Sequence, residues 1–377
     1  MSISFSNIKN QTVLLRADLN EPIDENATVG STKRIDASIN TIHELVARKN
    51  NVIIISHHSD ANQTLAPIAT YIQKNFPDLV FIHSADTQEI KKQIDSKKNN
   101  EQGSQNNFIV LIENLRAFTV GGLDAKDNNL EENNDEGFAK FLASLSDVYV
   151  YDAFSVAHRK HASTVSVSRY TPHTLGPIAE KELAALSKVL SPDLVILGGA
   201  KLSTKLPLVE KFLSENAKVF LGGAMAHPIL IKKGVDIKKS YIENIEIGES
   251  ILNNKNLYVP TDYVWDKKEN NKIVDAGHTT MVNLKTIIQN SNTILWNGPL
   301  GMYEDGYVEG THDLISMLDQ SLMHNGTADK FIVVGGGDTL TVLDDYPKFS
   351  CSYISLSGGA MLEFLAKGSL PGIEANR

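Results

Sequence analysis

The stretch FIVVGGGDT, residues 331–339, carries the pattern that decides the fold. An aromatic and three β-branched residues end abruptly on three glycines, an aspartate and a threonine, and an apolar segment follows. A short continuous apolar run reads as a strand buried on both faces, as in parallel sheets covered by helices. Glycines at its end let the backbone approach a ligand, and amides at a following helix N-terminus favour an anion. Outward from this stretch the same unit recurs, with apolar runs at 194–197, 219–221, 257–259 and 293–296. The first half repeats the theme at 12–15, 52–55, 79–82, 108–112 and 148–151. Between the runs, segments such as IDASINTIHELVAR, EGFAKFLASL and LPLVEKFLSE space their apolar residues three and four apart, the period of a half-buried helix. The pattern predicts an α/β chain with two Rossmann-like domains, each built on a parallel sheet.

A length of 377 residues exceeds what one ordinary core fills, which agrees with two domains. Between the two series lies TLGPIAEKELAALSKVLSPD, in which Leu183, Leu186 and Leu190 share a helical face and Pro192 ends the pattern. This predicts a linking helix over 179–192, a first domain over 1–178 and a second over 193–361. Two polar stretches, 95–107 and 124–136, hold too few apolar residues to pack and read as surface loops. Lys and Arg number 36 against 45 Asp and Glu, a net charge of -9, which argues against nonspecific nucleic-acid binding. Cys351 is the one cysteine, so an internal disulfide is excluded and a reducing compartment is expected. The opening MSISFSNIKNQ lacks an apolar signal segment and no run reaches membrane-spanning length, so the expectation is a cytoplasmic protein without membrane association.

Ligands of open parallel sheets bind outside the carboxyl ends of the strands. In the first series those ends carry Arg16, Asp18 and Asn20; Ser56, His57 and His58; Glu113, Asn114 and Arg116; and Asp152 with His158 and Arg159. Arg34 opens the first helix. Four arginines in one register on an acidic chain predict an anion site, because each guanidinium meets phosphate or carboxylate oxygens two at a time. Asp18 reads equally as a structural partner of an arginine and as a ligand for a hydroxyl. The second series places glycine where the first places arginine, in GGAKLSTK, GGAMAH, WNGPLG and GGGDT, which predicts a phosphate site made of backbone N–H groups. Lys201 and Lys205 sit in the first of these loops. With Thr204 as N-cap, Pro207 falls on the third helical position, where a missing N–H is harmless. A KxxxK pair is usually a solvated face; the preceding strand and flanking glycines single this one out for phosphate. The absent motifs also exclude. No GxxxxGK[ST] loop, no HRD and DFG set, no GxGxxG after the first strand and no Cys/His cluster is present.

Taken in order, LLRADLNEP, LIENLRAF, DAFSVAHRKHAST, LGGAKLSTK, LGGAMA, LWNGPLGMYE, VGGGDT and GGAMLEFLAKGSLPG resemble the successive signatures of the phosphoglycerate kinase family, from residue 13 to residue 372. The resemblance implies two domains facing one another across a cleft that closes about a hinge, with residues 362–377 packing back on the first. It implies a monomeric glycolytic enzyme that moves a phosphoryl group between 1,3-bisphosphoglycerate with ADP and 3-phosphoglycerate with ATP. On matching positions, 3-phosphoglycerate would bind through Asp18, Asn20, Arg34, His57, Arg116, His158 and Arg159. The nucleotide, with Mg2+ on Asp338, would bind through Gly199, Lys205, Gly222, Gly277, Asn297, Glu304, Gly336, Gly337, Asp338 and Thr339. Arg34, Lys201 and Lys205 would stabilise the phosphoryl group in flight.

The chain also departs from the family pattern. Where the family's second strand leads into a block resembling S-H-L-G-R, this chain reads Ser56, His57, His58, Ser59, Asp60. Loss of one charge-assisted contact costs ~1.5–3 kcal/mol. Either Asp60 turns outward, or His58 or Lys33 takes the cation's place. An altered acid substrate, or a nucleotide-binding homologue with impaired catalysis, is the alternative expectation. Ser155 stands in the family's DAFG, Ser357 in a triple glycine and His278 at an expected proline.

Overall fold

The computed structural model describes residues 2–100, 107–119, 129–323 and 330–377. Two compact units emerge: Met1–Leu183 with Ser369–Arg377, and Ala184–Gly368. No helix among the described residues is long and apolar enough to cross a membrane.

In the first unit the strands are β1 (Thr12–Arg16), β2 (Asn51–Ile55), β3 (Val80–Ile82), β4 (Ile109–Ile112), β5 (Val148–Tyr151) and β6 (His173–Leu175). They form one sheet of order β3-β4-β2-β1-β5-β6, parallel throughout. The β1 sequence TVLLR is buried at every position, as a central strand covered on both faces requires. The helices are α1 (Lys33–Ala47), α2 (Ala66–Ile72), α3 (Thr87–Asn100), α4 (Glu136–Ser144) and α5 (Pro177–Ser187). Ile35, Ile39, Ile42 and Leu45 of α1 recur at three and four residues and are buried in the core with Val13, Leu15, Val52 and Ile54.

The second unit repeats the plan. Its strands are β7 (Leu194–Leu197), β8 (Lys218–Leu221), β9 (Leu257–Tyr258), β10 (Tyr263–Trp265), β11 (Ile273–Ala276), β12 (Thr293–Asn297), β13 (Phe331–Gly335) and β14 (Tyr353–Ser355). The main sheet runs β14-β13-β12-β7-β8-β9, again parallel, while β10 and β11 pair as a separate antiparallel ribbon. The helices are α6 (Leu206–Ser214), α7 (His227–Lys232), α8 (Glu249–Leu252), α9 (His278–Gln289), α10 (Glu309–Met323), α11 (Gly337–Asp344), α12 (Gly358–Lys367) and, back in the first unit, α13 (Pro371–Asn376). In both sheets the first strand of its series is central, flanked by the next strand on one side and a later one on the other. That is a topological switch point, where the loops diverge and leave room for a ligand.

Several expectations need correction. Strands β6, β10, β11 and β14 were not foreseen: each is short and lies at a sheet edge or in the separate ribbon, where no continuous apolar run is required. The linking helix starts at Pro177, where proline suits the first turn, and ends at Ser187, so Leu190 lies beyond it and is only half-buried. Asp152, at the end of β5, accepts from the Ile178 and Ala179 amides with one oxygen and from the Thr41 hydroxyl, at 2.6 Å, with the other. Burial pushes its carboxyl up to about 6. The chain returns to the first unit at Ser369, since α12 stays whole in the second. The polar stretch 95–107 is helical through Asn100, and its residues 101–106 lie outside the described residues. So do 124–128 of the other stretch, whose remainder is not a surface loop: Glu131 is fully buried and Asp135 caps α4. Lys205, not Thr204, is the N-cap of α6, which puts Pro207 in its first turn.

Candidate functional site

At the carboxyl edge of the first sheet, Asp18, Arg34, Asn20 and Arg116 are linked through Ser59 by an ion pair and hydrogen bonds. Arg34 Nε lies 3.6 Å from Asp18 Oδ2, and its Nη1 donates to the Asn20 carbonyl at 2.8 Å. Asn20 Oδ1 accepts from the Ser59 amide at 2.9 Å, and the Ser59 carbonyl accepts from Arg116 Nη1 at 2.6 Å. Asp18 Oδ1 is buried and has no hydrogen-bond partner among the described residues. A buried acceptor in that state marks a place where a hydroxyl or water belongs. Arg116 Nε is 2.9 Å from Glu132 Oε1 but out of line for a hydrogen bond. His158 and Arg159 are half-buried neighbours, with Arg159 Nε 3.4 Å from His158 Nε2.

His57 is almost fully buried, 2.9 Å from Arg16 through Nδ1. Burial, reinforced by Arg16, Arg116, Arg159 and His161, holds its pKa well below the usual histidine range. Arg16 does not belong to the exposed anion-binding set that the strand-end register suggests. It is fully buried, donating from Nε to Ser163 Oγ at 2.9 Å and from Nη1 to the Ala17 carbonyl at 2.7 Å. Its counter-charge is Glu131, which accepts from the Ser163 hydroxyl and amide; burial raises the Glu131 pKa while Arg16 opposes the rise.

The edge of the second sheet is built of glycine turns around a cavity of about 550 Å3. Gly199, Glu304 and Asp338 line it, with Leu300, Tyr303 and Val342 as apolar wall. Gly336 is the N-cap of α11 at φ 109°, and a Cβ there would stand 2.3 Å from Asn297 Nδ2. The N–H groups of Gly337, Asp338 and Thr339 therefore open the helix with no intrahelical partner and face outward for an anion. Asn297 Nδ2 donates to the Gly335 carbonyl at 2.7 Å, and Thr339 Oγ1 accepts from the Gly298 amide at 2.7 Å. Both side chains thus hold the loops together.

Lys205 Nζ donates to the Gly198 carbonyl at 2.9 Å. Burial lowers its pKa to about 8, with Asp338 partly opposing. Lys201 is exposed in the same loop.

Two glycines play parts other than those expected. A Cβ on Gly222 would meet Leu300 at 2.5 Å, and one on Gly277 would meet Asp262 at 2.5 Å, so both serve close packing. It is Gly223, at φ 61°, that lines the cavity. Asp275, also lining it, accepts from the Gly310 amide at 2.8 Å, and burial raises its pKa to about 6.

The model of the family described as phosphoglycerate kinase matches residues 3–368. The chain belongs to the phosphoglycerate kinase family. The phosphoglycerate kinase of Blochmanniella floridana is 33% identical, covering 97% of this chain and 92% of that protein. That of Aquifex aeolicus is also 33% identical, over 97% and 95%. The solved phosphoglycerate kinase from Coxiella burnetii superposes with a TM-score of 0.79 at 30% identity, covering 100% of this chain and 98% of that one. The structure from Pyrococcus horikoshii OT3 gives 0.80 at 27% identity, over 98% and 96%.

The departures from the family pattern prove local. Asp60 is exposed and its Oδ1 accepts from the Asn62 amide at 2.9 Å, so the carboxylate closes its own turn. His58 Nδ1 accepts from the Asp60 amide at 3.1 Å. Ser357 has φ -95°, a conformation that needs no glycine, and the positive-φ position beside it is Gly358. Ser155 sits in a short 3-10 turn and is not among the positive-φ residues. His278 is the first residue of α9.

Proposed function

We propose that this phosphoglycerate kinase is catalytically competent and that its two sheet edges divide the substrates, 3-phosphoglycerate on the first unit and ADP or ATP on the second. The observation that carries the reading is the continuous chain from Asp18 through Arg34, Asn20 and Ser59 to Arg116, matched by the amide-rich start of α11 beside Lys205. The acceptor carboxylate is ionised at neutral pH and is already a nucleophile, so no general base is required. Its oxygen bonds to the γ-phosphorus of ATP as the bond to the β-phosphate oxygen breaks and ADP leaves; the glycolytic direction is the reverse. What the protein must supply is in-line placement and charge on the equatorial oxygens. Arg34, Lys201 and Lys205 are the groups suited to that role, and Asp18 Oδ1 suits the substrate hydroxyl.

Among the described residues no three carboxylate, histidine or cysteine side chains are grouped to hold a metal. The single exposed carboxylate of Asp338, in the first turn of α11, fits Mg2+, which takes few protein ligands and completes its shell with phosphate oxygens and water. Bound there with the nucleotide, Mg2+ supplies neutralisation of phosphate charge. Helix α5 carries the chain from one unit into the other, which supports a hinge role when the substrates are brought together. A lone cysteine supports a reducing, cytoplasmic setting, and a net charge of -9 supports small molecules rather than nucleic acid as partners. The outward turn of Asp60 leaves the altered-substrate alternative without support. The test is ATP formation from ADP and 1,3-bisphosphoglycerate: turnover with this pair is expected, and ATP binding without turnover would overturn the reading.

A further inference from the structure

We propose that Arg16 and Glu131 are positioning residues that lock the His57 ring in the neutral tautomer with its proton on Nε2, so that His57 meets the anionic ligand as a hydrogen-bond donor. The inference rests on reading the first unit as the phosphoglycerate site.

Arg16 is the last residue of β1 and is fully buried. A guanidinium offers donors only and stays charged in a protein. Arg16 Nη2 lies 2.9 Å from His57 Nδ1, so Nδ1 must be the nitrogen with the lone pair. The ring proton is then on Nε2. That nitrogen makes no hydrogen bond within the described residues. A donor in that state is available to an incoming acceptor, and a carboxylate or phosphate oxygen is one.

The arrangement is held by charge balance behind the site. Glu131 is fully buried, with Oε1 2.5 Å from Ser163 Oγ and Oε2 2.9 Å from the Ser163 amide. Ser163 Oγ gives its proton to Glu131 and accepts from Arg16 Nε, so it relays the carboxylate's charge to the guanidinium. The charged and titratable groups that bear on His57 are Arg16, Arg116, Arg159 and His161; all of them disfavour an imidazolium. The arginines supply the site's positive charge, while His57 supplies direction without titrating in the physiological range.

The test is 15N NMR of histidine-labelled full-length protein, alongside kinetics. A single neutral Nε2–H form of His57 is expected from pH 6 to 8. The double variant Arg16→Met, Glu131→Gln removes both charges together and leaves neither buried alone. It should populate both tautomers and raise KM for 3-phosphoglycerate about tenfold, the equivalent of one lost hydrogen bond, with KM for ATP unchanged. Arg16→Lys keeps a donor and should retain the native tautomer. An imidazolium or an Nδ1–H ring in the unaltered protein at pH 7 overturns the proposal. So does an unchanged tautomer or an unchanged KM in the double variant. Should that variant fail to fold, the unaltered spectrum and Arg16→Lys decide. If phosphoglycerate does not saturate the unaltered protein, the acid-site reading falls and the proposal with it; a failure confined to the variants sinks the proposal alone.

Discussion

The two sheet edges share a topology and differ in the chemistry of their loops. In each, the first strand of the series is central, β1 or β7, and the candidate site residues follow the same neighbouring strands. The first edge presents cationic side chains held by carbonyls and carboxylates, as Arg34 is held by Asn20 and Asp18. The second presents backbone at glycine turns, with Gly199, Gly223, Gly298 and Gly336 all at positive φ. The difference teaches that one fold can offer anions two kinds of donor, side-chain and backbone. Side-chain forks suit a small acid with oxygens at both ends, and convergent amides suit a chain of phosphates.

The comparison breaks most directly at Lys205, a half-buried cation of the glycine-built edge. Lys205→Ala should lower kcat about a thousandfold in the coupled assay with 1,3-bisphosphoglycerate and ADP. Wild-type-like turnover would mean that glycine amides suffice. The next effect separates two adjacent glycines. Gly336→Ala forces a side chain onto φ 109° with Asn297 Nδ2 at 2.3 Å, whereas a Cβ on Gly337 meets nothing within 4 Å. Nucleotide affinity should fall about a hundredfold for Gly336→Ala, from ~1–3 kcal/mol of strain and displaced amides, and hardly change for Gly337→Ala. Equal losses in isothermal titration would show that neither backbone conformation nor the tight space at Gly336 decides this turn.

The edges should also part company with pH. Lys205 titrates near pH 8 in the free protein, so its charge is complete below that value and is lost as pH rises through it. Nucleotide affinity should therefore decline above pH 8, approaching about tenfold per pH unit if binding needs the ammonium. Acid binding, resting on arginine, should stay level over pH 7 to 9.5. Parallel declines would contradict this division of labour. The smallest effect is expected at Asp60. Its carboxylate is exposed and closes its own turn, so Asp60→Arg should move KM for 3-phosphoglycerate by less than about threefold, the range of an exposed charge. A tenfold gain would restore Asp60 as a determinant of substrate choice.

Much of this was legible because it is local. The buried run TVLLR, the α1 spacing of Ile35, Ile39, Ile42 and Leu45, and FIVV leading into GGG each declare their element from neighbouring residues alone. The short strands β6 and β14 were not legible, since three residues make no period and only an existing sheet edge recruits them. Nor was the part played by Arg16 separable from that of Arg116. Both follow strands, and what distinguishes them is that one faces buried Ser163 and the other the Ser59 carbonyl.

The amino-acid order by itself determined the two parallel sheets, the family, and the loops that carry the candidate site residues, because strand period, helix period and glycine placement are properties of short segments. Only the tertiary structure decided which of those groups are offered to a ligand. Glu131 sits in a polar stretch that reads as a loop, yet it is the buried counter-charge of Arg16; Asp60 reads as a lost substrate contact, yet it caps its own turn. The physical reason is that a charge takes its role from burial and from partners far along the chain, and neither exists until the chain has folded.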